Sequence, residues 1–333
     1  MFENKDYYVG NMRNVENYTE KISKRGLSQF PPLIISCAIT GGAHGKETNP
    51  NLPVTIEEQV QSAYEAYNAG ASLIHIHTRD PKNNYRTMDP NWESYAEVNA
   101  RIREKCPDVI INNTYIGGRV IDNELNVSEP MCTSAPALPE VASLDLGTWS
   151  TLMKMPLKQE DGTVKNVTIS NTYLLNHPEA EKHARILFEK GIKTECEMYS
   201  INDFKYINFL ISLGLIESPY WIQLLLGGNG VQPNIDFMQL AANMLPAESL
   251  LSIIGVGPCQ TPIITAAMIL GHHVRVGLED SVYFDAGELA KSNAQLVERA
   301  VNIAKEIGRP VATPAQAREM MGLNSPREYK WPL

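Results

Sequence analysis

The chain has 333 residues, of which 43% are hydrophobic and 20% charged, the balance of an ordinary globular protein rather than a disordered or fibrous one. Its net charge of −9, without a long basic run, argues against a nucleic-acid partner. No stretch of about 18 apolar residues is available to span a membrane, and the first residues, MFENKDYYVG, lack the apolar region of a signal peptide.

The first 30 residues are polar with interleaved tyrosines and read as an N-terminal extension, either a packing arm for an oligomer or a loose tail. From residue 33 onward, short apolar runs alternate with longer segments of helical period, the pattern of βα units. Eight strands are predicted: Leu33–Ile39, Ser72–His77, Val109–Asn113, Val141–Leu144, Lys193–Met198, Trp221–Leu226, Leu250–Ile254 and His273–Gly277. Between the first two, Thr55 and Glu58 form a capping box, and the helix they open stops at Gly70. Pro130, Pro136 and Pro139 break any long helix before the fourth strand. Leu152–Asn171, with Asp161-Gly162 at its tip, reads as a hairpin or lid-like loop. The final long helix is predicted over Glu288–Ile307, ended by Gly308 with Pro310 beyond. Eight such units make a closed (β/α)8 TIM barrel over residues 31–322, with a short tail at 323–333. A doubly wound open sheet is the alternative, but no G-x-G-x-x-G follows the first strand.

The five cysteines, Cys37, Cys106, Cys132, Cys196 and Cys259, show no C-x-x-C spacing. They read as reduced thiols in a cytoplasmic protein rather than as a disulfide framework.

Chemistry concentrates at the C-terminal ends of the predicted strands, where barrel enzymes build their active sites. In ASLIHIHTRDP, His75 and His77 lie two residues apart on a strand and so share one face. Two imidazoles in that arrangement can grip one divalent metal such as zinc. The bland alternative is a pair of hydrogen-bonded rim histidines. A catalytic metal site wants a third protein ligand, and Glu279 in RVGLED follows the eighth strand, two places from the second in a closed barrel. Arg275 on that strand needs carboxylate partners, for which Asp280 and Glu197 are candidates. Glu195 and Glu197 share one face of the fifth strand, where one could act as a general base or merely close a salt bridge. The endings NNTYIGG (112–118) and SLDLGT (143–148) offer amide and hydroxyl groups suited to a substrate carboxylate, though such groups also cap loops. LLLGGNGV (224–231) is a weak ligand signal.

Seven stretches together resemble the β-keto acid cleavage enzyme family: AITGG (38–42), NPNLPVTIEEQ (49–59), AGASLIHIHTRDP (69–81), SLDLGT (143–148), TECEMY (194–199), HVRVGLED (273–280) and the segment 292–318. The resemblance spans roughly residues 33–322. It implies a barrel with one zinc held by His75, His77 and Glu279. The implied reaction converts a 3-keto acid and acetyl-CoA into acetoacetate and a new acyl-CoA, with the metal as Lewis acid. It further implies proton transfer by Asp280 with Arg275 and Glu197, and a substrate contact at Ser143. Thr114 or Tyr115, followed by Gly117, is implied for the substrate carboxylate. A homo-oligomer, a tetramer among the candidates, is the family habit. Where the aminohexanoate-cleaving members carry a glutamate after the first strand, this chain reads Ala43-His44. That replacement points away from an amino-substituted substrate and leaves His44 as a candidate contact. Two competing readings are a metal-dependent barrel hydrolase and a non-catalytic metal- or ligand-binding barrel. The hydrolases carry H-x-H on the first strand, whereas here it is on the second.

Overall fold

The computed structural model describes residues 20–332 except 21, 25, 123, 130–132, 160 and 229. Eight strands close into a parallel barrel: β1 (Ile35–Ala38), β2 (Leu73–Ile76), β3 (Ile110–Ile116), β5 (Val141–Asp145), β8 (Lys193–Met198), β9 (Tyr220–Leu226), β10 (Ser249–Gly255) and β11 (His273–Val276). They neighbour one another in that order, and β11 returns to β1. Each corresponds to one of the eight predicted strands. The helices α1 (Ile56–Ala69), α2 (Trp92–Lys105), α3 (His177–Glu189), α4 (Phe204–Ser212), α5 (Ile235–Met244) and α6 (Gln260–Ile269) lie between them in the chain, and α7 (Asn293–Glu306) follows β11.

Alternation along the strands decides what faces where. Ile35, Cys37, Ile74, Ile76, Ile111, Leu144, Cys196, Ile253 and Val274 belong to the large apolar core shared with the helices. The opposite parity holds Ser36, His75, Asn112, Ser143, Glu195, Gln223, Ser252 and Arg275, all buried and all polar. A barrel interior so lined is unusual for a packed core, and internal pairing satisfies it only in part: Ser36 Oγ, Gln223 Nε2 and Ser252 Oγ are buried without a hydrogen-bond partner. At the N-terminal end of the strands, Ile34, Leu73, Ile110, Val141, Trp221 and Leu250 form a second apolar cluster. It packs against Ala317, Met320 and Met321 of α8 (Pro314–Met321), which closes the floor.

Thr55 and Glu58 make the expected capping box, and Gly70 closes α1 in a left-handed conformation. The last long helix is shorter than predicted. It starts at Asn293, because the Ser292 hydroxyl caps it by accepting from the Gln295 amide, while Glu288–Leu289 form β13 against β12 (Tyr283–Asp285). The predicted insert is a hairpin of two 11-residue strands, β6 (Thr148–Lys158) and β7 (Val164–Leu174), extended by β4 (Arg119–Ile121) into a three-stranded sheet. Cys37, Cys106, Cys196 and Cys259 are free thiols, and Cys132 lies outside the described residues. Among the described residues no helix is long and apolar enough to cross a membrane.

Candidate active site

The second strand ends with His75 and His77 turned to the same side, their Nε2 atoms 3.0 Å apart. Glu279 reaches them from beyond β11, its Oε1 lying 3.7 Å from His75 Nε2 and 3.4 Å from His77 Nε2. Two close approaches of the backbone allow this. Gly277, at φ +140°, turns the chain where a Cβ would lie 2.1 Å from the Ala38 carbonyl oxygen. Gly41, at φ +67°, leaves the space that the Glu279 side chain fills, since a Cβ there would meet Glu279 Cγ at 2.6 Å. A backbone bond from the Glu279 amide to the Ala38 carbonyl, 3.2 Å, fixes the loop.

These three residues suit a divalent metal ion. Their ligand atoms all lie within 4.8 Å of one another, the one such grouping among the described residues. Burial drives the His75 pKa well below the ordinary histidine value, so the ring is neutral and its lone pair available. His77 Nδ1 lies 3.1 Å from Met88 Sδ, a thioether that can only accept, while its Nε2 faces His75 and Glu279. Glu279 Oε2 and His75 Nδ1 are buried without a hydrogen-bond partner.

Arg275, 2% exposed, stands beside this group and meets three carboxylates. Nη2 donates to Glu279 Oε1 at 2.5 Å. Nε and Nη2 donate to Asp280 Oδ2 and Oδ1 at 3.0 and 2.9 Å, and Nη1 donates to Glu197 Oε1 at 3.1 Å. Burial raises the Glu279 pKa, but the Arg275 guanidinium, followed by His77, more than offsets it and holds the carboxyl well below the usual range. Asp280 goes the other way. Burial pushes it up to about 6, with Arg275 opposing and Glu279 and Glu197 reinforcing. One guanidinium against three carboxylates leaves excess negative charge in a buried space, which a divalent cation would balance.

Farther around the mouth, Tyr199 Oη lies 3.1 Å from both Glu197 Oε2 and Asp145 Oδ2. Burial, then the charge of Glu197, raises the Asp145 pKa well above the ordinary carboxylate range, so it stands as a neutral acid. Behind it, Trp149 stacks between Tyr173 and Tyr199, with ring centroids 3.8 and 4.1 Å away. Deeper in the barrel, Glu195 accepts from Asn112 Nδ2 at 2.7 Å and Trp221 Nε1 at 2.5 Å. Burial and Glu197 push it up to about 8.

Of the residues singled out from the sequence, His75, His77, Glu279, Arg275, Asp280 and Glu197 therefore form one continuous cluster. Of the two strand glutamates, it is Glu197 that closes the salt bridge. Ser143 and Thr114 are register partners on neighbouring strands and share the inward face. Tyr115 is placed elsewhere: it belongs to the outer core and its hydroxyl lies 3.3 Å from His183 Nδ1 on α3. Gly117, at φ +84°, passes close to Leu144 and His183. His44 is half-buried. Burial lowers its pKa, and its Nε2 donates to the Leu278 carbonyl at 3.0 Å.

Arg79, Asp145 and Tyr199 also stand at the site, with nothing in residue type or spacing to single them out. Arg79 donates to the carbonyls of Gly41 at 2.7 Å and His44 at 2.5 Å, tying the loop after β1 to the histidine strand. All three lie inside the quoted motifs, but only the fold aims their side chains.

A family model described as beta-keto acid cleavage enzyme matches residues 32–323. The 3-keto-5-aminohexanoate cleavage enzyme of Fusobacterium nucleatum is 37% identical over 293 residues, covering 87% of this chain and 98% of its own. The 3,5-dioxohexanoate:acetyl-CoA acetone transferase of Paraburkholderia graminis is 31% identical over 303 residues, covering 87% of this chain and 96% of its own. Among solved structures, apo ObcA superposes with a TM-score of 0.63 at 17% identity, over 82% of this chain and 66% of that one. This last likeness bears on the fold alone.

Proposed function

The chain belongs to the beta-keto acid cleavage enzyme family, and from that premise we propose that it converts a 3-keto acid and acetyl-CoA into acetoacetate and a new acyl-CoA, using zinc held by His75, His77 and Glu279. The single observation that carries this reading is the convergence of those three ligand atoms beside the Arg275–Asp280–Glu197 cluster. Zinc bound there would supply Lewis acidity toward the ketone oxygen of the substrate.

The chain's own residues do the rest. Asp280 takes a proton from the carbon between the ketone and the carboxylate, a role that suits a carboxyl held at about 6. Arg275 orients it through the two-toothed bond, and Glu197 holds the far side of the guanidinium. Ser143 and Thr114 bind the substrate carboxylate from the inward face, Gly117 giving their loop room to pass. Ala43 and the occupied His44 ring offer no charge to an amino group, which favours a neutral or anionic side chain on the keto acid. The cytoplasm suits the free thiols. A homo-oligomer suits the exposed Leu152 and Val164 on the sheet beside the barrel and Leu125 and Val127 just beyond β4, and light scattering would measure the assembly.

The test is a panel of 3-keto acids incubated with acetyl-CoA and the protein, following acetoacetate, alongside elemental analysis. Acetoacetate formation with about one zinc per chain supports the reading. Failure of every keto acid with zinc-loaded protein would exclude the reaction.

A further inference from the structure

One cavity among the described residues lies well away from the metal end. It lies at the opposite end of the barrel, about 460 Å³, between the starts of β8 and β9 and the chain leaving α8. Lys193, the first residue of β8, lines it half-buried. Its ammonium has no ion pair with a carboxylate among the described residues, only a long 3.5 Å approach to the Glu217 carbonyl oxygen. The nearby cations are already engaged. Arg318 is paired with Glu140 at 2.7 Å, and Arg327 donates to the carbonyls of Leu138, Pro139 and Gly191. Cys196 and Tyr220 complete the titratable lining, and burial pushes the Cys196 thiol up to about 12.

A lysine placed in this way is a nucleophile in waiting. Burial pushes its pKa down to about 8, against the opposing pull of Glu217. At pH 7.5 roughly a quarter of the side chain would be free amine, against about one part in a thousand for an ordinary lysine. Lower basicity returns part of that gain as weaker nucleophilicity.

We propose that Lys193 is an acylation site, modified by an acyl-CoA thioester whose acyl group enters the cavity at the barrel floor. The amine nitrogen attacks the thioester carbonyl carbon, the N–C bond forms and the C–S bond breaks. Coenzyme A leaves as thiolate and takes up the proton that the nitrogen releases, so an amide and a free thiol are produced. The acyl donor rests on the function proposed above; the reactivity of the amine does not.

Two labelling arms separate these points. Whole protein is incubated with acetyl-CoA across pH 6.5–9, and acetylation is quantified peptide by peptide, with the exposed Lys82, Lys291 and Lys305 as internal references. A parallel arm uses trace acetic anhydride, which reports free amine without any CoA recognition. The expected result is at least tenfold faster acetylation of Lys193 than of the reference lysines in both arms at pH 7.5, its rate levelling above about pH 8. Lys193→Arg should abolish that peptide signal while leaving acetoacetate formation unchanged. Labelling of Lys193 no faster than the exposed lysines with acetyl-CoA would overturn the proposal, whatever the anhydride arm shows. Fast labelling in a protein that forms no acetoacetate would leave this site standing and remove only the catalytic reading.

Discussion

Arg275 grips Asp280 through two parallel hydrogen bonds, Nε to Oδ2 at 3.0 Å and Nη2 to Oδ1 at 2.9 Å, with both side chains buried. Replacing Asp280 by Asn keeps the shape but removes the base. We expect Asp280→Asn to retain bound metal and a folded barrel while losing on the order of 10²–10⁴ in kcat. Full activity in a steady-state assay of acetoacetate release would sink the proton-transfer role.

Glu279 is the one anionic member of the metal group, and Glu279→Gln keeps its size. The expected outcome is a metal content well below that of wild type by elemental analysis, with the barrel intact by circular dichroism. Undiminished zinc in Glu279→Gln would show that the two histidines suffice.

Removing the shared cation should be costly. In Arg275→Met, Glu197, Glu279 and Asp280 face one another without their guanidinium, a loss of about 3–5 kcal/mol expected from breaking a buried ion pair. Arg275→Lys restores charge but not the planar fork, so it should recover stability more than turnover. Urea denaturation of both variants in metal-free buffer measures this, and a wild-type midpoint for Arg275→Met would contradict the burial argument.

Thr114 and Tyr115 should part company under substitution. Thr114→Val is expected to raise KM for the keto acid several-fold, since the hydroxyl lies on the inward face beside Ser143. Tyr115→Phe removes the hydroxyl that meets His183 on α3. It should cost about 1 kcal/mol of stability, the usual net worth of one hydrogen bond, and leave KM alone. The reverse pattern of KM changes would return the carboxylate contact to Tyr115.

Acid should destabilise the barrel floor through His272 and His273. Burial, with Arg309 nearby, lowers His272 to about 3 and His273 well below its ordinary value. An unfolded histidine protonates near pH 6.5. Below that pH the unfolded chain binds protons that the folded chain refuses. The stability contribution is thus whole above pH 6.5 and lost as pH falls toward the folded value. The slope is about 1.4 kcal/mol per pH unit for each ring. His272→Gln should lose about 2 kcal/mol less than wild type between pH 7 and pH 5 in urea titrations; an identical pH slope would refute the assignment.

The sequence by itself determined the eight strands, the capping box of Thr55 and Glu58 and the sharing of one face by His75 and His77. Each is a local matter: period two sets the face of a strand, and a cap needs only residues three apart. It also made Glu279 reachable, because closure puts β11 two places from β2. The interior pairings are different. Arg275 meets Glu197 across 78 residues, and Tyr199 bridges Asp145 and Glu197, contacts that depend on the stagger between strands. The choice between Thr114 and Tyr115 was hidden for a specific reason. Strand β3 is polar on both sides, since Asn112 faces Glu195 while Asn113 pairs outward with Asn99, and an irregularity follows between Thr114 and Ile116. With no apolar alternation to read, only the closed barrel could decide which side chain looks inward. The floor cavity at Lys193 is the same kind of fact, because β8, β9 and the chain after α8 enclose it only once the barrel has closed and α8 has folded across its base.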